Sequence, residues 1–245
     1  MMNKCLGEIK EEKFLSKKII SVIMSLIVVT SLIGCQNSSG TTEKKAEKET
    51  VTEDQSSEED ANLEGKWAEK YNLEDTQKLF KEKLAKMETI TKEFGIKYTK
   101  DEKIKQENKI SVNDNSIYYD NEKAEANKIE SMYFGMKTYG EKLESGDISL
   151  KLSLKFDGEK AIKDNNFDLG KTSFKKYIEA FTGQENRDYS DINKQIIEKL
   201  KTSDTVEINN TIDGLKEEIR ATKTCIIYKL STKKYKFADA EMSMK

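Results

Sequence analysis

Histidine is absent from this 245-residue chain, and with it the side chain most often used as a general base near neutral pH and as a transition-metal ligand. A Ser-His-Asp or Cys-His catalytic arrangement is therefore excluded, as is any zinc site built on imidazole. Proline is absent too, so there is no prolyl cis turn and no stiff proline spacer. Arginine occurs only at Arg187 and Arg220 among 43 basic residues, which is poor equipment for bidentate phosphate recognition. None of the GxGxxG, GxxxxGK[ST] or GxSxG patterns occurs. That removes the usual sequence marks of dinucleotide, phosphate-loop and serine-hydrolase sites.

Long apolar runs are scarce as well, with one exception. Lys17 and Lys18 precede a stretch of Ile, Val, Leu and Met from Ile19 to Ile33, broken only by Ser and Thr and followed by Gly34 and Cys35. At 15 residues it falls short of the ~17–25 needed to span a bilayer. A charged start, an apolar middle and a small residue at the end form an export signal. The run Leu32-Ile33-Gly34-Cys35 resembles the lipobox of bacterial lipoproteins. The resemblance implies cleavage between Gly34 and Cys35, a diacylglyceryl thioether (palmitate-type chains) on Cys35, and a place on the extracytoplasmic face of the cell membrane. Two acyl chains give stable attachment where one gives only reversible binding. Glu8, Glu11 and Glu12 dilute the charge ahead of Lys17, and a translation start near Leu15 is the expectation that restores it. Heavy use of Lys, Asn and Ile without Pro resembles low-GC Gram-positive bacteria.

Three segments follow: a signal over 1–34, a lipidated tether over 35–65, and a folded domain over 66–245. Residues 36–65 hold three Lys against nine Asp or Glu, with Val51 and Leu63 as the only large aliphatics. Such a segment cannot bury enough apolar surface to offset its ordering entropy and is expected to be disordered. As a flexible coil it reaches about 30 Å. Residues 66–245 hold 35 basic and 33 acidic residues, evenly mixed. Nucleic acid is not an expected partner, because it requires a concentrated basic face. Loss of Cys5 with the signal and lipidation of Cys35 would leave Cys225 alone, so the core is expected to hold the fold without a disulfide.

The periodicity predicts an α+β domain, an antiparallel sheet packed on amphipathic helices. Phe80, Leu84, Met87 and Ile90 recur at helical spacing between an Asn72 cap and a Gly95 stop. Residues 109–112 and 116–119 flank Asn113-Asp114-Asn115 and read as a hairpin. Ile148, Leu150, Leu152, Leu154 and Phe156 alternate with polar residues, so one face is buried and the other, Ser153 included, is wet. Helices follow at 174–181 and from Ser190, then strands at 206–212, 215–221, 224–230 and 235–242, with a turn at Asp213-Gly214. The order helix-then-sheet occurs twice, which leaves room for two related subdomains dividing near 165–171.

Chemistry is sparse in what remains. Cys225 sits in a strand-like run and reads as a small buried hydrophobe. Glu217 and Glu218 are adjacent in a strand and point to opposite faces, so they cannot act as a pair. Asp114 with Asp120 forms no persuasive acid–base couple. Residues 164–168 lack the ligand spacing of a calcium loop and read as an ordinary loop. Trp67 and Tyr71 read as packing, and Tyr133 and Tyr139 would line an open sheet face. No metal, cofactor or catalytic residue is expected. The expectation is a non-enzymatic surface module for a protein, peptide or envelope component. A carrier of an apolar small molecule and an enzyme using carboxylates are the alternatives.

Overall fold

The computed structural model describes residues 62–121 and 123–237, all within one unit, Glu59–Lys245. The signal segment, Gly34, Cys35 and most of the tether lie outside the described residues.

Helix α1 (Leu73–Glu93) begins where the sequence places it. Asn72 Oδ1 accepts the Asp75 N–H at 2.7 Å, and Glu74 and Asp75 sit at the positive end of the helix dipole. Phe94 ends it and Gly95 follows at φ 67°, the left-handed stop that favours glycine. Four strands come next: β1 (Thr99–Glu107), β2 (Ile110–Asp120), β3 (Ile129–Tyr139) and β4 (Ser145–Lys155). Helices α2 (Gly158–Asp164), α3 (Phe174–Thr182) and α4 (Ser190–Leu200) then lead into β5 (Thr205–Ile212), β6 (Leu215–Thr222), β7 (Cys225–Ser231) and β8 (Tyr235–Lys236). Of the strand expected at 235–242, Tyr235–Lys236 is strand, Phe237 is not, and 238–242 lie outside the described residues.

All eight strands form one antiparallel sheet in the order β1-β2-β3-β4-β7-β6-β5, with β8 beside the start of β4. Two helix-then-meander halves therefore run in from opposite edges and meet where β4 pairs with β7 and β8. The strands on either side of 165–171 share one sheet. The domain is α+β, with helices packed on the sheet.

The space between sheet and helices is filled by large side chains. Trp67 meets Phe181 edge-on at 5.1 Å between ring centres, Phe181 meets Phe134 edge-on at 5.5 Å, and Phe80 stacks on Phe134 at 5.5 Å. Edge-to-face and offset geometries are those aromatic quadrupoles favour. Trp67 lies in a 3₁₀ turn (Lys66–Ala68) tied down twice: its N–H donates to Asp213 O and its carbonyl accepts from Tyr235 Oη, each at 2.9 Å. The Asp213-Gly214 turn has φ of 50° and 86° at its two residues, the conformation a two-residue hairpin demands. Gly214 is doubly constrained, because a Cβ there would lie 2.5 Å from Ala68 N.

The structure corrects two expectations. Asn113-Asp114-Asn115 is not a turn: it lies mid-strand in β2, and the hairpin turns instead at Asn108-Lys109, φ 49° and 66°. Cross-strand partners outweigh local turn preference here, since Asp114 sits opposite Lys103 on one side and Lys137 on the other. Ser153, expected to be wet, is fully buried, as is Leu152. It is a short side chain on a central strand, overhung by Glu130 and Cys225. Cys225 is buried at the start of β7, as the sequence suggests, and is disulfide-bonded in this chain, while the expectation of a lone Cys225 concerns the mature form.

Candidate functional site

Helices occupy one face of the sheet, and the side chains of the other face form a lattice of neutralised charges. Lys103, Asp114, Lys137 and Asp147 are consecutive partners across β1 to β4, so charge alternates along one row. Tyr133 and Tyr139 lie on this face as the sequence suggests, but their hydroxyls are committed. Tyr133 donates to Asp114 at 2.9 Å and Tyr139 to Asp147 at 2.6 Å. Burial, and then the facing carboxylates, push both phenols above their ordinary range. Burial likewise raises Asp147 and, at the other end of β3, Glu130, which accepts from Ser153 Oγ at 3.2 Å. The ring of Tyr133 reaches over Gly135, where a Cβ would lie 2.4 Å from Tyr133 Oη and force the ring to move. Both tyrosine hydroxyls are thus satisfied by carboxylates of the same face.

A different cluster lies on the helix side. β6 alternates Leu215, Glu217, Ile219 and Ala221 toward the core, which places one carboxylate among aliphatic neighbours with no exposed surface. Arg187, in the loop between α3 and α4, meets it end-on: Nη1 bonds Oε1 and Nη2 bonds Oε2, the latter at 2.8 Å. Tyr228 Oη also donates to Oε1, and Asn210 Nδ2 donates to Oε2 at 3.0 Å. Burial works to raise the Glu217 carboxyl, but hydrogen bonds from Arg187 and Tyr228 outweigh it and leave it below the ordinary value. Glu218, on the opposite face as expected, pairs with Lys229 at 2.7 Å.

Arg187 also opens onto a polar groove of about 370 Å³ between the 3₁₀ turn Leu169–Lys171, the first turn of α3 and the start of α4. Asp168 is committed there to Gly170 N and Asn193 Nδ2, at 2.9 and 3.3 Å. The carboxylate of Asp188 accepts from Ser190 N and Oγ. The stretch 164–168 thus ends α2 and caps the 3₁₀ turn. Among the described residues, no group of three His, Cys, Asp or Glu is placed to hold a metal, and no helix is long and apolar enough to cross a membrane.

Sequence reasoning missed this cluster. Arg187 lies in a loop without periodicity, and its partner is thirty positions away. One signal was present: a Glu on the apolar face of the 215–221 alternation needs a buried partner, and only two arginines could supply a fork. Comparison of the chain with family models, curated proteins and solved structures returned no match.

Proposed function

We propose that this protein is a membrane-anchored, extracytoplasmic binding module, lipidated on Cys35 and non-enzymatic, that captures an extended segment of a protein or peptide. The observation that carries this reading is the edge strand β5. A sheet edge presents unpaired backbone donors and acceptors, and proteins blunt exposed edges with charge. β1, the other edge, carries six charged residues in nine, whereas β5 carries only Glu207 in eight. Thr205, Asn209 and Thr211 are exposed and neutral on β5, which suits strand addition. Trp67, Phe80, Phe134 and Phe181 occupy the interior where a carried apolar molecule would need a chamber, and the buried Glu217 is held ionised by its partners.

The test is photo-crosslinking in membranes of producing cells, with the probe at Asn209 on β5 or at Glu102 on β1. A discrete protein adduct from β5 alone, abolished by Asn209→Lys with Thr211→Lys at an unchanged melting temperature, is the expected result. Equal labelling from both edges, or a uniform small apolar adduct on the native protein, overturns the reading.

A further inference from the structure

We propose that the groove beside α4 binds a carboxylate group on the free edge of the Arg187 guanidinium. A guanidinium has five N–H donors in a fixed plane. Glu217 takes the end-on pair and Tyr228 Oη accepts from Nη1 at 3.1 Å, so three donors are engaged. The two that remain, Nε–H and the second Nη2–H, are parallel and lie on one edge, the fork that matches two carboxylate oxygens. No described residue accepts from either, and Arg187 lines the groove.

The fork is preorganised. Buried Glu217 fixes its far edge, and the ring of Tyr189 lies 5.1 Å from the guanidinium carbon. A second observation is independent of the arginine. Tyr189 lines the same groove, is buried, and its hydroxyl has no hydrogen-bond partner. A buried hydroxyl left unmatched is costly.

The two free N–H donors of Arg187 select an acceptor as ligand. Both carboxylates of the wall, Asp168 and Asp188, already accept backbone hydrogen bonds. Charge selects further. Glu217 neutralises Arg187, the rim ammonium groups of Lys171 and Lys175 pair with Asp168 and Glu179 at 3.5 and 3.7 Å, and Asp188 adds a negative charge, so the groove holds no positive excess. That balance suits a monoanion with two coplanar oxygens better than a multiply charged phosphate. A peptide C-terminus and a free organic acid share this chemistry.

With only two arginines in the chain, the ¹⁵N-labelled full-length protein in detergent micelles gives two Arg Nε–H signals, and Arg220 serves as an internal control. Sodium acetate is titrated against acetamide and sodium chloride at constant ionic strength. Acetate is expected to shift the Arg187 signal saturably and leave Arg220 in place, while acetamide and chloride move neither. Lys171→Ala with Lys175→Ala, both away from the core, should weaken the acetate response several-fold without altering the melting temperature. A C-terminal dipeptide that saturates at lower concentration than acetate would identify the peptide source, and equal response would identify the free acid. An Arg187 signal that does not move, that moves with acetamide, or that moves together with Arg220 overturns the proposal. None of these residues lies on β5, so the groove and the strand edge fail separately.

Discussion

At the scale of single residues, Glu217 decides most. A buried ion pair is weak support for stability when intact but costly to halve, because the surviving charge is left without compensation. Glu217→Gln leaves the Arg187 guanidinium over an uncharged amide and is expected to cost ~3–5 kcal/mol. The pH dependence follows from the direction of the shift. The folded carboxyl lies below its ordinary value, so its stabilisation is complete above the ordinary carboxylate range and is lost as pH falls through it. Glu130 and Asp147 act in reverse: burial raises them, and the cost of keeping them ionised is relieved as pH falls. They are present in both proteins and cancel in the comparison. Urea denaturation of wild type and Glu217→Gln should therefore show a gap that is widest near neutral pH and narrows on acidification. A gap independent of pH would show that the pair contributes only packing.

At the scale of elements, local rules and cross-strand pairing compete, and the β1–β2 hairpin records the outcome. Helix α1 obeys its cap and its stop, and the apolar row of β4 is buried as its spacing requires, because each is decided by neighbours within a few positions. The hairpin does not obey composition. Three Asx residues in a row read as a turn, yet Asp114 also receives Lys105 Nζ at 3.1 Å and Tyr133 Oη at 2.9 Å from adjacent strands. The true turn places Lys109 at φ 66°, a conformation that costs a residue with a side chain and suits glycine. Lys109→Gly is expected to stabilise the domain by roughly 0.5–1 kcal/mol, read from the urea midpoint at unchanged m-value. A loss of stability would mean that the Lys109 side chain contributes more than its backbone strain costs.

At the scale of the whole molecule, the proposed anchor bears on the disulfide of Cys225. The chain has three cysteines. The proposed lipoprotein processing would remove Cys5 and alkylate the sulfur of Cys35, leaving Cys225 without a cysteine partner in the mature chain. The mature protein extracted from membranes should have an intact mass that reduction does not change, and Cys35→Ala should abolish the lipid mass and block lipoprotein cleavage. A mature chain that gains two hydrogens on reduction, or a Cys35→Ala variant that matures and partitions like wild type, would refute lipidation. What the sequence by itself determined is whatever depends on near neighbours: the export-like segment, the α1 boundaries, the buried rows of β4 and β6, and the Asp213-Gly214 turn. The tertiary structure alone decided that both meanders join one sheet, that Ser153 is buried, and that Arg187 finds Glu217. The physical reason is range. Periodicity and caps are set within a turn or two of chain, whereas a buried charge pair forms only after distant segments have packed and removed water from between them.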